Sequence, residues 1–590
     1  MEHEKEDRLS SLPKIILYDI LSRLPEEDAN RTSVLSKTWL DTWNTFPILS
    51  FSITQSMENI LRFCDYVKRR MLRFRDQSLA IKTFKLCVRR PGTPNMSKDV
   101  DIWLKLACES GVEVIEFAAF GREQYYDLPM SVIEAKSLTK LVLMGSIKIE
   151  PIFVNHSIKF FSLRELSMTH VPLRDEQTIQ HLISCCPLIE YIYLRICYVL
   201  SPSSDTIGLF KPINALNLSG LQKLKGVDVF GIQEVFIDAP SLEKLSYGPY
   251  NPSNAPFKID FDRCRNLKEL DLLCMKRTFF TNKWFLDLFP KFPFLESLEL
   301  TGCKLCERIN ISSVRLKVLK LLGCYNFKEV IINAPNLLSF KCKHYRSVAT
   351  GALKPIISFL RNSSKLKVKI VIEFSFVELC NLRKFVQNIK PHSVLTSLSL
   401  YINPPSMDAL NPIELQVTSP PPSIKNLELS KKYFPYTESF PHNESLFSSL
   451  VNIILSSCCP STISFSLKYF IINRAFIEFF YETLMRRKDN DCFCSSSDIK
   501  CWWHDLKDVK VTNSMKKMDE NVDLKTILDS LPMKIDENVD LETILDSLPT
   551  SKCVFGLALD IIDFDRIDYG RIDFIRIDFS IIDLCLDTVM

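Results

Sequence analysis

Glycine is scarce in this chain, 14 residues in 590, too few to furnish repeated glycine-rich loops of the kind that let a backbone approach phosphates. Neither G-x-x-x-x-G-K-[ST] nor G-x-G-x-x-G occurs, and H-E-x-x-H is missing as well. Eight histidines are scattered without ligand spacing, so the side chains that most often move protons or hold zinc are gathered nowhere. Together these absences argue against a catalytic chain and against a bound cofactor.

Long apolar runs are also missing. The most apolar region, 450–480, is broken by Asn452, Pro460, Lys468 and Arg474, short of the roughly 18 to 20 residues a spanning helix needs. The opening residues, MEHEKEDR, are charged and lead into no apolar segment, so no secretory signal is expected. Charge of one sign is lacking too: Lys plus Arg exceed Asp plus Glu by 74 − 70 = 4, and no overall field favours nucleic acid or an anionic membrane. The expectation is an intracellular protein of nucleus or cytoplasm. Its 20 cysteines then read as reduced thiols used as small buried hydrophobes, not as a disulfide framework.

What is present begins at Leu12–Trp43, LPKIILYDILSRLPEEDANRTSVLSKTWLDTW. Leu12, Ile16, Leu17, Ile20, Leu21 and Leu24 recur at helical spacing. Pro13 suits a first turn and Pro25 ends the run. Ala29, Val34, Leu35, Trp39 and Trp43 supply a second apolar set. A segment this short cannot close a core alone, so its apolar face needs cover from the same chain or from a partner.

The placement of Leu12-Pro13, Ile20-Leu21-Ser22, Leu24-Pro25, Ser33-Val34-Leu35-Ser36 and the two tryptophans resembles an F-box. The resemblance implies docking on the Skp adaptor of a cullin ubiquitin ligase, through Leu12, Pro13, Ile16, Ile20, Leu21, Leu24, Val34, Leu35 and Trp39. Asn30 and Thr38 depart from the usual aliphatic and basic residues at their positions, without removing an apolar anchor.

From about residue 81 to 460 the pattern L-x-x-L-x-L-x-x-C recurs, clearest at Leu295, Leu298, Leu300, Cys303 and again at Leu316, Leu319, Leu321, Cys324. Further copies are read from Val112, Leu138, Leu163, Ile189, Ile213, Leu242, Leu267, Leu337, Leu395, Ile424 and Leu450. The spacing of neighbouring copies is that of leucine-rich repeats. Alternation such as Leu298-Glu299-Leu300 turns the leucines inward and the glutamate outward on a short strand. Cys197, Cys303, Cys324 and Cys458 are expected as core residues in the turns after such strands. Helices are expected between strands at Asp175–Cys186 and Asn282–Phe289, and an irregular outer segment in the short repeat 295–315. With phrases such as Asp238-Ala239-Pro240-Ser241-Leu242 and Asn333-Ala334-Pro335-Asn336-Leu337, the chain is similar to the plant F-box/leucine-rich-repeat, FBD-related family.

The remaining segments are unlike these. Residues 51–80 read as a helical bridge, its Lys68-Arg69-Arg70 run a solvated face. Residues 461–515 read as a cap on the last repeat. Residues 516–552 hold a tandem 17-residue repeat, DENVDLKTILDSLP and DENVDLETILDSLP, and 553–590 a low-complexity tail with isoleucine-aspartate every five residues. Cys492, Cys494, Cys501 and His504 carry zinc-type donors, but their short spacing in a cysteine-rich chain leads us to expect no metal site.

The sequence therefore predicts an α/β chain: a helical F-box at 8–50, then a leucine-rich-repeat solenoid over 81–460 with a parallel sheet on its concave face, then a C-terminal tail of little order. Ser167, Tyr193, Asp271, Glu299, Lys320 and Lys341 are expected to point outward from that sheet toward a target protein. Their mixed charge speaks against a nucleic-acid groove. The family resemblance implies a non-catalytic specificity subunit of a ubiquitin ligase; a repeat scaffold acting without any ligase is the rival expectation.

Overall fold

A computed structural model describes residues 9–558 apart from internal stretches, the longest at 150–159, 201–210, 345–354, 404–420, 432–443, 486–509 and 514–553. The chain divides into two units, one of Met1–Val371 with Asn388–Val394, the other of Ile372–Gln387 with Leu395–Met590.

In the first unit three short helices come first: α1 Lys14–Ser22, α2 Glu26–Thr32 and α3 Lys37–Asn44. Pro13 occupies the N-cap of α1, where its missing N–H costs nothing. The Ser36 hydroxyl caps α3 by accepting from the Trp39 amide at 3.2 Å. Leu17, Leu21, Ala29, Trp39, Trp43 and Phe46 form their shared core, with Leu12, Tyr18, Ile20, Leu24 and Ile48 packed against it. Helix α4, Ile60–Asp76, follows and buries Val67, Arg70, Met71 and Phe74.

One parallel sheet then dominates the unit. Its strands are β1 Ile48–Ser52, β2 Thr83–Arg89, β3 Val114–Phe120, β4 Lys140–Gly145, β5 Glu165–Thr169, β6 Tyr191–Arg195, β7 Gly226–Phe230, β8 Lys244–Gly248, β9 Glu269–Leu273, β10 Ser297–Thr301, β11 Val318–Leu322 and β12 Ser339–His344. Each pairs in parallel with the next. Burial alternates along them, as in β10 where Leu298 and Leu300 are buried and Ser297, Glu299 and Thr301 are half-exposed. Each such leucine contributes on the order of 1.5–3 kcal/mol of burial, which fixes the register, since a one-residue slip would turn every leucine to water.

The chain leaves these strands by a left-handed residue. Gly145, His170, Ile196, Gly231, Gly302 and Gly323 all have positive φ, from 52° at Ile196 to 99° at Gly231. Several of the few glycines are thus spent where the turn demands them. The thiols that follow repay the turn: Cys197 donates to the Met168 carbonyl at 3.5 Å, Cys303 to that of Leu272 at 3.5 Å and Cys324 to that of Leu300 at 3.1 Å, each reaching the preceding repeats.

Outer segments are of two kinds, and the one expected to be irregular in the repeat 295–315 is a strand, Arg308–Ser312. Helices do occur at Glu176–Ser184, capped by Asp175, and at Asn282–Lys291, where Pro290 lies inside the last turn rather than beyond it. Helices also lie at Pro94–Glu109 and Met130–Ile133, and in other repeats the outer layer is itself parallel sheet: Ala215–Ser219 with Glu234–Asp238 and Lys258–Asp260, and Arg308–Ser312 with Glu329–Ala334, Ile356–Asn362 and Ile389–Lys390. Repeats of little more than 20 residues hold two strands and two turns but no helix. The copy read from Ile213 is one of these outer strands. The inner strand of that repeat is β7, whose Leu224, Val227 and Val229 carry the buried pattern.

The second unit pairs Leu395–Asn403, Ser423–Lys431 and Cys459–Ser466 in parallel. Leu450 does not begin a strand; it lies in the helix Glu444–Ser457, and Cys458 sits at that helix's end, its thiol donating to the Ile454 carbonyl at 3.5 Å. An apolar triplet alone does not tell a buried helix turn from a strand. Arg474–Met485 is helical, and its Phe476 packs on Phe447 with ring centroids 5.4 Å apart. Val554–Ala558, within the segment read as a low-complexity tail, runs antiparallel between Cys459–Ser466 and Lys510–Asn513. The tandem repeat at 519–549 and the Ile-Asp series from 561 lie outside the described residues.

Candidate functional site

Two surfaces of the first unit carry the candidate residues. On the three-helix head the structure divides the adaptor candidates. Leu21 and Trp39 are core, 1% and 3% exposed, and help shape the head. Leu12, Ile20 and Leu24 are half-buried against that core, while Pro13, Ile16, Val34 and Leu35 are exposed. Ile15 on α1 and Leu40 on α3 also stand in solvent, and sequence reasoning missed both. The signal was available: in a helix whose Leu17 and Leu21 point inward, Ile15 lies on the opposite side. Val34 is 84% exposed and Ile15 75%, an unusual density of bare apolar side chains for so small a unit.

A polar cluster couples this head to α4. The Arg70 guanidinium lies over the Trp43 ring, 4.2 Å from its centroid, and donates to the Trp43 carbonyl at 2.6 Å. Arg70 is 5% exposed, so the basic run read as a solvated face contributes its last member to the interior. The Tyr66 hydroxyl donates to Glu26 Oε1 at 3.2 Å. Burial pushes the Glu26 carboxyl up to about 7, against the opposing pull of Arg70 and Tyr66. The same burial draws Arg70 down to about 10, which leaves it cationic at neutral pH.

The second surface is the open face of the sheet. Strand register brings every outward candidate into one row: Ser167, Tyr193, Asp228, Ser246, Asp271, Glu299, Lys320 and Lys341 are successive partners across β5 to β12. All are half-buried. Asp228 was missed because its repeat was read on the outer strand at Ile213, whereas Ser246 lies on β8, in the copy read from Leu242, and was passed over. Ser246 donates to Asp271 Oδ2 at 3.2 Å, and Lys320 pairs with Glu299 at 2.8 Å. Burial, with Glu299 and Asp228 nearby, raises the Asp271 carboxyl to about 7. Burial and the adjacent Lys320, Lys343 and Lys369 lower the Lys341 ammonium.

Among the described residues no group of His, Cys, Asp or Glu is placed to hold a metal ion, and the Cys492, Cys494, Cys501, His504 group lies outside them. No helix among the described residues is long and apolar enough to cross a membrane. The row offers charge and hydrogen-bonding groups, among them the Ser246–Asp271 pair and the Lys320–Glu299 ion pair.

Known proteins with this organisation exist. The model of the F-box domain matches residues 9–51, and that of the LRR repeats of FBD-associated F-box protein At5g56370 matches residues 100–280. F-box/FBD/LRR-repeat protein At5g56420 of Arabidopsis thaliana is 29% identical over 243 residues, 38% of this chain and 55% of that one. From the same organism, FBD-associated F-box protein At3g52670 is 27% identical over 45% of this chain and 58% of its own length. F-box/LRR-repeat protein At3g03360 is 34% identical over 33% of this chain and 39% of its own. The chain thus spans about half the length of the relatives it matches.

Proposed function

Since this chain belongs to the plant F-box/FBD/LRR-repeat family, we propose that it is the substrate-recognition subunit of a Skp-cullin-F-box ubiquitin ligase. The F-box head docks the Skp adaptor, and through it a cullin, while the open face of the repeat sheet holds a target protein. Catalysis then consists of proximity: the assembled complex keeps the target beside a ubiquitin-charged enzyme, and this chain supplies no reacting group. The observation that carries the reading is the set of bare apolar side chains on the head, Ile15, Ile16, Val34, Leu35 and Leu40. Each is worth on the order of 1.5–3 kcal/mol gross when covered, before the cost of association.

Co-purification of the full chain with a plant Skp adaptor and cullin tests this. Stoichiometric recovery supports the ligase reading. A chain that never binds the adaptor is instead a repeat scaffold that works without a ligase.

A further inference from the structure

The open-face row is not electrically uniform. From β7 to β10 it presents Asp228, Asp271 and Glu299; β11 and β12 then present Lys320 and Lys341. Lys343 lies two residues along β12, and the amide of Lys367 donates to the Leu338 carbonyl, bringing Lys369 beside Lys341. Glu299 is engaged by Lys320, and Lys341 makes no ion pair among the described residues. A half-buried ammonium crowded by like charges is an unfavourable arrangement that a compact anion relieves. At the acidic end, Asp271 Oδ1 is buried without a hydrogen-bond partner among the described residues, the mirror arrangement awaiting a cation.

We propose that this bipolar row binds an extended segment of a partner protein carrying one phosphorylated side chain at Lys341 and a basic side chain over Asp271. The proposal rests on the reading of the sheet as the target-binding face and names the class of target. A phosphoserine brings close to two negative charges and three acceptor oxygens, enough to engage several lysines at once. A polyanion is disfavoured because the same row turns acidic at Glu299, one strand away from Lys320. Asp271 and Lys341 stand three strand positions apart, roughly 14 Å at ~4.8 Å per strand, which an extended peptide covers in about four residues. The raised Asp271 carboxyl and the lowered Lys341 ammonium are what unfilled sites of opposite sign should display.

The test uses the full-length chain and degenerate peptide pools with a central phosphoserine, compared with matched pools carrying serine or glutamate. The phosphoserine pool should be retained about tenfold above the serine pool, with lysine or arginine enriched about four residues to one side. Lys341→Glu and Lys341→Met should each abolish the discrimination. Asp271→Asn should remove the basic preference alone, and Lys258→Glu, on an outer strand, should change nothing. Lys341→Met keeps the aliphatic stem, so it reports even if Lys341→Glu fails to melt cooperatively. Equal retention of the pools overturns the proposal. So does phosphoserine selection that survives Lys341→Met, or an RNA oligonucleotide or phosphatidylserine vesicles bound through Lys341 as tightly as the peptide. Adaptor co-precipitation is scored on the same preparations: lost peptide selection with adaptor bound refutes this inference alone, and lost adaptor binding in the wild type refutes the ligase reading.

Discussion

Arg70 of helix α4 stacks its guanidinium 4.2 Å from the centroid of the Trp43 ring and donates at 2.6 Å to the Trp43 carbonyl. One side chain thereby satisfies the end of α3, covers its aromatic face and joins the head to the bridge helix.

Replacing Arg70 should therefore cost more than a surface charge. Arg70→Ala forfeits a desolvated cation–π contact and leaves a carbonyl unpaired, together about 2–4 kcal/mol. Arg70→Lys, which keeps charge but not the planar stack, should lie between. Urea denaturation of the three proteins measures it.

Acid pH should stabilise the fold in one window. Glu26 titrates near 4.5 when unfolded and at about 7 when folded. The folded state therefore binds the extra proton between those values, and stability falls as pH rises from 4.5 to 7. Asp271, moved from 3.8 to about 7, adds the same sign. Glu26→Gln should flatten the profile and be the more stable protein at pH 8, by roughly 1–2 kcal/mol after allowance for solvent screening. A Glu26→Gln profile as steep as wild type would contradict this.

Docking and folding should separate cleanly on the head. Val34→Asp with Leu35→Asp, at positions 84% and 60% exposed, should abolish adaptor co-precipitation while melting stays within a degree or two, since charge is tolerated in water and not in an apolar contact. Leu21→Ala, in the core, should instead cost about 2–5 kcal/mol. Ile20→Asp or Leu24→Asp confounds the two effects, because both side chains pack on that core.

The left-handed turns make a further asymmetry. Gly302→Val, at φ 64°, should lower stability by about 1–2 kcal/mol. Ile196→Gly, at φ 52°, releases comparable strain and forfeits a half-buried side chain, so its net effect should stay within about 1 kcal/mol. Thermal melts of the pair decide it.

Thiol chemistry reports the core directly. Burial pushes Cys197 and Cys342 up to about 12, so both should resist iodoacetamide at pH 8 in the native protein and react fully in urea. Mass spectrometry of labelled peptides reads this out. Rapid native labelling of Cys342 would mean that β12 opens.

Much was already set by the chain itself. Leu295-x-x-Leu298-x-Leu300 repeated 21 residues later admits little but a short strand with buried leucines, because alternation at period two has no helical solution. The helical spacing at Leu12–Leu24 and the two tryptophans determined the head in the same local way. Tertiary structure decided what local pattern leaves degenerate. Ile213 and Leu224 begin equally good triplets, and only stacking against neighbouring repeats sends one to the outer sheet and the other to the inner. Leu21 and Ile16 share a stripe, yet closure of three helices buries the first and leaves the second bare. Arg70 reads as surface charge until Trp43 is brought under it. The row from Ser167 to Lys341 belongs to no segment of the sequence; register across successive strands aligns those side chains, and with them the change of sign between Glu299 and Lys320.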